Sequence, residues 1–354
     1  MRTTVLEVNK KVILDNIDKI KKYCGKEVLP VIKANGYGTY INRDLDFLNN
    51  FSMVAVALVS EGVYLRNIGY TRDILILNQP YSEEISDIVS NNLIIGLSSF
   101  EFLESIDNRN IRVHLEIETG MNRTGISLDN LEKYISLVKK KKNIIVEGVY
   151  THLSSADDDE EYTKNQLSKF SSAVKILRKK IPSIKYIHSQ ASNGLLNYCD
   201  NNTNLVRAGI IMYGYDSFDG SNKIINYKPC SVLKTKITFL KDVLGGESIS
   251  YNRKFTSKNK MRVATIPIGY ADGLRRCLSN KLDVVVNGKK ARVIGSICMD
   301  SCMIDVTSID VKVGDEVYIW DNKNVLLDDI AALCGTINYE IISTISDRVV
   351  RIIK

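Results

Sequence analysis

The chain has 354 residues, 44% of them apolar and 25% charged, which excludes a disordered chain and a small disulfide-stapled module and calls for roughly two domains of about 100 to 200 residues each. The net charge of +7, from 48 basic and 41 acidic side chains, gathers in basic runs at expected helix ends, 139–142 and 178–180; with no aromatic-plus-basic motif beside them, no nucleic-acid partner is expected. No apolar stretch approaches the ~18 residues of a membrane helix and the start MRTTVLEVNKK has no signal-peptide core, so a soluble cytoplasmic chain with no membrane partner is expected.

Up to about residue 215, short β-branched runs alternate with longer segments of helical period, the pattern of parallel βα units. Strands are predicted at 28–33, 53–59, 74–78, 93–97, 111–118, 144–151, 185–189 and 205–209. Between them lie helical stretches such as SEGVYLRNIG, SEEISDIVSNN and DEEYTKNQLSKFSSAVKILRKK, the last opened by acids and closed by bases. Eight such units fit a (β/α)8 TIM-type barrel, in which active sites collect on loops at the carboxyl ends of the strands. A doubly wound open sheet is the competing architecture. From about Pro229 the texture changes to alternating strands without long helices: SVLKTKITFL, RVATIPIGY, LDVVVNGKKARVIG, CMIDVT and DEVYIW. The fold class is therefore α/β, with a barrel over 1–225 followed by a smaller, mostly β domain over 226–354. In that domain Asn287-Gly288 reads as a type I′ hairpin turn, and a last helix is predicted at 327–334.

Seven cysteines, an odd number without a CxxC pair, argue against a disulfide framework or a zinc ribbon. Three histidines leave too few ligands for a histidine-rich metal centre, so reduced thiols and no metal are expected. The most informative segment is VLPVIKANGYG, 28–38, where an apolar strand ends in Lys33 and a small, flexible loop follows. Taken alone, Lys33 reads equally as a snorkelling strand-end lysine or as a Schiff-base lysine whose partial burial lowers the amine's pKa.

VIKANGYG resembles the pyridoxal-phosphate lysine motif of the alanine racemase family. LEIETGMNRTGI, VYTHLSSADDDEEYTKNQLSKF, LVRAGIIMYG, the run from SISYNRKF through IPIGYADGLRR to IGSICMDSCMIDVT, and GTINYEIISTISDRVVRI agree in the family's order, so the similarity spans nearly the whole chain. The resemblance implies that Lys33 binds pyridoxal 5′-phosphate and serves as one catalytic base, with Tyr37 beside it. Arg207 falls where the family's arginine partners the pyridine nitrogen. A guanidinium donates to that nitrogen without protonating it, which weakens the ring as an electron sink and suits a racemase better than a transaminase. Phosphate binding is implied for Ser192, for the backbone amides of Gly209 and Ile210 at a helix start, and for Tyr339; His152 is implied to lie against the ring. Without the motif, Tyr37 reads as loop packing, Arg207 as half of a surface ion pair, Ser192 as a helix cap and His152 as a hydrogen-bonded core histidine, while His114 and His188 are read as structural.

Racemisation removes the α-proton from one face and returns it on the other, so it needs an acid or base on each. The resemblance assigns the second to Tyr251, which taken alone is one tyrosine among 18 and reads as packing. With a reference pKa of ~10 its phenolate needs stabilising, by His152 and cationic neighbours. Tyr270, Met299 and Asp300, in GYADG and SICMD, resemble residues that close the substrate mouth. The family's head-to-tail homodimer implies that Tyr251, Tyr270 and Met299 act across the interface.

Arg123 matches the arginine that faces cofactor and substrate carboxylate. Glu116 stands where the family commonly has a lysine bearing a carbamate that holds this arginine. Strand alternation puts His114, Glu116 and Glu118 on one face, the barrel lumen, opposite Val113, Leu115 and Ile117. Glu116 is expected to hold Arg123 directly or, being shorter than a carbamylated lysine, through a water; pairing with another cation is the alternative. The chain departs from the family pattern in lacking a histidine after YG in KANGYGTY, in Ala191, in Asn252 and in RVVR at the end, none of which removes a catalytic group. The resulting expectation is a pyridoxal-phosphate-dependent isomerase that interconverts L- and D-alanine, supplying D-alanine for peptidoglycan, with serine as the nearest alternative substrate. A decarboxylase of the same architecture is a rival that GYADG and TGMNRTG argue against. A noncatalytic pyridoxal-phosphate carrier is a second, and the β domain with Tyr251 counts against it.

Overall fold

The computed structural model describes residues 3–198, 200–215 and 225–354; Cys199 and the segment 216–224 beside the expected domain boundary lie outside the described residues. The chain divides into two compact units, one of residues 14–36 and 42–227, the other of residues up to 13 together with 37–41 and 228–354.

The chain opens with β1 (Val5–Val8), a strand of the second unit. The first unit contains eight parallel strands at the predicted positions: β2 (Glu27–Pro30), β3 (Met53–Val56), β4 (Asp73–Ile76), β5 (Ile94–Leu97), β6 (Ile111–Glu116), β7 (Ile144–Tyr150), β8 (Tyr186–His188) and β9 (Leu205–Ala208). β3 through β8 pair in sequence order and β9 pairs with β2. A parallel bridge between Val31 and Ala55 joins β2 to β3. The Asn204 amide donates to the Ile187 carbonyl at 3.1 Å and the Arg207 amide to the Gln190 carbonyl at 3.0 Å, stitching β8 to β9 and completing the ring of a (β/α)8 barrel. Every residue of β3, β5 and β9 is buried, as parallel strands covered on both faces require. The longest helix, Glu160–Lys180, begins where the Asp159 carboxylate accepts the Tyr162 amide and ends on Arg178, Lys179 and Lys180, so the charges read from sequence oppose the helix dipole.

Several predicted strands end early; β3 stops at Val56, three residues short of its expected end. β2 stops at Pro30, and Ala34, Asn35, Gly36 and Tyr37 follow with φ of 52°, 53°, 62° and 54°, a left-handed turn directly after Lys33.

The second unit carries a nine-stranded sheet. Its further members are β10 (Ser231–Lys236), β11 (Phe239–Val243), β14 (Met261–Ile266), β15 (Asp283–Val286), β16 (Lys289–Ile294), β17 (Cys302–Asp305), β18 (Glu316–Trp320) and β19 (Val350–Ile353), while β12 (Ser248–Ile249) and β13 (Phe255–Thr256) form a small ribbon. The run 231–240 read as one strand is two, because the Ile237 amide turns to Asp315 and the Thr238 amide to Thr265. β1 lies between β10, antiparallel, and β19, parallel; sequence reading marked neither β1 nor β19. Asn287 and Gly288 take φ of 48° and 75° in the β15–β16 hairpin, as an I′ turn requires. Helix Leu327–Cys334 is present, and a further helix, Asn338–Ser343, carries Tyr339.

Among the described residues no helix is long and apolar enough to cross a membrane, and no group of three or more His, Cys, Asp or Glu is placed to hold a metal.

Candidate active site

The carboxyl ends of the barrel strands bring Lys33, Glu116, His152, Ser192 and Arg207 to one end of the first unit, the face where this architecture builds its sites. Arg207, on β9, is 3% exposed. Its Nη1 donates to Nδ1 of His188 at 2.8 Å and to the His188 carbonyl at 3.2 Å. Its Nη2 donates to the carbonyls of Thr151 at 2.8 Å and Ser189 at 3.2 Å, and to Nδ1 of His152 at 3.0 Å. A guanidinium only donates, so both imidazoles accept at Nδ1 and carry their proton on Nε2. His188 Nε2 therefore donates to Nδ1 of His114 at 2.9 Å. The Tyr150 ring stacks on His188, 5.0 Å between centroids and 4° from parallel. Burial, reinforced by the Arg207 charge, lowers the pKa of His152 to about 3, and burial with Arg112 lowers that of His114 to about 3. All three imidazoles are neutral at physiological pH. Burial also lowers the Arg207 pKa to about 10, leaving it the cation of the cluster. His188 and His114, read from sequence as structural, are thus Arg207's own supports, His188 directly and His114 through His188.

Lys33 is half-buried, and burial first, then the charge of Arg123, lowers the pKa of its amine, with Glu61 opposing. Ser192 is the first residue of helix Ser192–Asn197, and its Oγ accepts the Ile211 amide at 3.4 Å. Gly209 precedes the short helix Ile210–Tyr213. Two helix starts, whose first amides have no intrahelical acceptor, thus converge on one serine hydroxyl. That donor set fits a phosphorylated, anionic group such as pyridoxal phosphate.

Glu116 ends β6 at 4% exposure. The direct ion pair expected with Arg123 is not formed. The hydroxyls of Thr124 and Tyr150 and the more distant charges of Arg123 and Arg207 favour its ionised form, but burial outweighs them and raises its pKa. Arg123 sits exposed on the loop after β6. Glu118 shapes that loop by accepting the amides of Gly120 and of Asn122, the latter at 2.7 Å.

In the second unit the rings of Tyr37 and Tyr339 lie 6.3 Å apart, and burial raises the Tyr37 pKa. Tyr251, Tyr270 and Met299 are 65%, 43% and 52% exposed. The segment 296–299 gathers them: Ser296 Oγ donates to the Tyr251 carbonyl at 3.2 Å, the Tyr270 amide to the Cys298 carbonyl at 3.0 Å and the Ala271 amide to the Met299 carbonyl at 3.0 Å. Only glycine fits at 269, since a Cβ there would stand 2.4 Å from the Met299 carbonyl oxygen. Asp300 pairs with Arg348 at 2.6 Å, and Arg348 also reaches the buried Asp272 at 3.3 Å. Asp300 is thus tied to the frame of the GYADG loop.

The chain matches the family described as alanine racemase, N-terminal domain, over residues 8–217, and alanine racemase, C-terminal domain, over residues 230–353. It is 37% identical over 369 residues to Alanine racemase 1 of Clostridium acetobutylicum, an alignment that covers 99% of this chain and 95% of that protein. Among solved structures, the alanine racemase of Clostridium difficile 630 is 34% identical with a TM-score of 0.91, over 100% of this chain and 96% of that one. The alanine racemase from Bacillus anthracis with bound L-Ala-P is 30% identical with a TM-score of 0.92, over 100% and 95%.

Proposed function

This chain belongs to the alanine racemase family, and from that premise we propose that it interconverts L- and D-alanine with pyridoxal 5′-phosphate held at the barrel end. It is an isomerase whose relatives, named as alanine racemases, do not favour the serine racemase or decarboxylase alternatives. In this reading residues 1–225 hold the cofactor, 226–354 carry the second base, and the product D-alanine serves peptidoglycan.

Ser192 and the amides of Gly209 and Ile210 hold the phosphate. When bound, the cofactor supplies a conjugated ring that takes up the electron pair left when the α-carbon loses its proton. Arg207 would hold the ring nitrogen as a donor that stays charged, itself bonded to the neutral imidazoles of His188 and His152. His152, protonated at Nε2, would lie against the ring. Arg123 takes the substrate carboxylate as a charge-assisted pair. Lys33, its pKa lowered by burial and neighbouring cations, accepts the α-proton on one face, and Tyr251 handles it on the other. The exposure of Tyr251, Tyr270 and Met299 supports a homodimer in which they serve the barrel of the second copy.

The observation that carries this reading is the buried Arg207 cluster, together with a lysine whose pKa burial lowers and two converging helix starts. A chiral assay of L-alanine and L-serine with added pyridoxal phosphate tests it. D-alanine formed much faster than D-serine is expected; release of carbon dioxide, or no inversion of alanine, would overturn it.

A further inference from the structure

We propose that Glu61 is a positioning residue for the reacting amine: its carboxylate clamps the left-handed turn that begins immediately after Lys33 and thereby fixes where the Lys33 amine stands. The proposal rests on the reading that Lys33 is that amine.

Five consecutive residues after Lys33, from Ala34 to Gly38, have φ between 52° and 77°. L-residues disfavour this region and enter it singly, yet Ala34, Asn35 and Tyr37 are not glycine, so the turn must be held by its surroundings. On the entry side the barrel does so: the Val31 amide donates to Ala208, the Ile32 amide to Ala55 and the Gly36 amide back to Ile32, at 2.8, 2.8 and 2.9 Å. Beyond Lys33 the first left-handed residue, Ala34, has its amide bound by Glu61 Oε1 at 2.6 Å. The other oxygen, Oε2, accepts the amides of Ala57 at 2.7 Å and Leu58 at 3.0 Å. Glu61 is the third residue of helix Val59–Asn67, where a glutamate ordinarily serves only the cap amide. Here one carboxylate takes three amides from two separate segments, one of them next to the lysine. Glutamine cannot reproduce this, because its amide nitrogen would face an N–H at one oxygen's place.

Glu61 also supplies the negative charge in an otherwise cationic setting. Arg123 and Arg207 repel a proton on Lys33, and the neutral His152 faces it too. Removing the Glu61 charge while keeping its shape should therefore shift the amine both in place and in proton affinity.

The test uses the full chain. In cofactor-free protein, acylation of Lys33 by acetic anhydride is followed against pH by peptide mass spectrometry, with exposed lysines as internal standards. In Glu61→Gln the Lys33 profile should move to lower pH while the standards stay put, and Glu61→Asp should restore part of the shift. In loaded enzyme, Glu61→Gln should lower kcat by about tenfold to a hundredfold with a much smaller change in KM, as expected for a misplaced catalytic group. In the unmutated protein, peptides over residues 33–38 should exchange their amide hydrogens slowly. Rapid exchange there, or an unchanged Lys33 profile in a folded Glu61→Gln protein, refutes the clamp. If borohydride reduction places the cofactor adduct on another lysine, the Lys33 reading itself fails, an outcome separate from the first two.

Discussion

Arg207 Nη1 donates to Nδ1 of His188 across 2.8 Å, and the proton positions of three imidazoles, His188 and His114 buried and His152 half-buried, follow from that bond and its Nη2 counterpart to His152. Because the arginine cannot accept, His188, His152 and in turn His114 are Nε2–H tautomers, and each is held neutral. Their folded pKa values, about 3 for His114 and His152 and well below the ordinary value for His188, lie under the ~6.5 of an unfolded histidine.

Acid stability follows with a definite sign. Between about pH 3 and 6.5 the unfolded chain binds more protons than the folded one, so stability rises with pH across that window and is lost progressively as pH falls through it. Each histidine contributes a slope of up to about 1.4 kcal/mol per pH unit. Urea unfolding at pH 5.0, 5.5, 6.0 and 6.5, at fixed protein concentration, should give a steep, same-signed slope that drops by about one histidine's share in His114→Asn. A flat profile over this range contradicts the buried neutral cluster.

Lys33 should be the site of the cofactor linkage. Purified protein supplied with pyridoxal phosphate should absorb at the edge of the visible and lose that band on borohydride reduction, and peptide mapping should find the adduct on Lys33. Lys33→Ala should leave no such band and cost most of the activity, on the order of 10² to 10⁴-fold or more for loss of a general base.

How much of this was legible in the sequence differs by kind of interaction. The barrel strands announce themselves because parallel strands buried on both faces need near-continuous apolar runs, as in MVAV and IIGL. The Asn287-Gly288 turn and the charges at the ends of helix Glu160–Lys180 are equally local. β1 was missed because VLEV is four residues whose partners, β10 and β19, lie at the far end of the chain. The turn after Lys33 was missed because Ala34 and Tyr37 adopt φ values against their own preference, an override that only Glu61 and the barrel explain. Alternation on β6 rightly grouped His114 with Glu116, but whether a side chain on that face meets Arg123 is a tertiary quantity that alternation does not carry.

Glu116 makes a further prediction. Its pKa is raised by burial, so the folded state binds more protons than the unfolded one above ~4.3, the ordinary glutamate value. Its contribution to stability is therefore complete at low pH and lost as pH rises through the folded pKa. Glu116→Gln should be more stable than the parent at pH 7, with the difference shrinking toward pH 4. Because this position already carries a carboxylate, removing bicarbonate from the assay should leave activity unchanged. A parent enzyme activated by bicarbonate, or a Glu116→Gln protein destabilised at pH 7, would count against this account.

Tyr251 offers the sharpest test of the two-base reading, and the readout must respect symmetry. The two enantiomers of alanine are equal in free energy, so any mutation lowers net racemisation equally in both directions. What separates the bases is exchange of the α-hydrogen with solvent. In Tyr251→Phe, whose phenol is gone but whose ring remains, the enantiomer presenting its α-hydrogen to Lys33 should still exchange in deuterated water without inverting. The other should lose exchange on the order of 10² to 10⁴-fold. Tyr251 is 65% exposed on its own chain, and a site shared between copies turns that exposure into a second experiment. Mixing Lys33→Ala with Tyr251→Phe subunits places both lesions in one site of each heterodimer and leaves the other site intact. Random pairing of an isologous dimer should then recover about a quarter of the parent activity from two nearly inactive proteins. No recovery in demonstrated heterodimers would rule out sharing, and equal loss of exchange from both enantiomers would rule out Tyr251 as the base of one face.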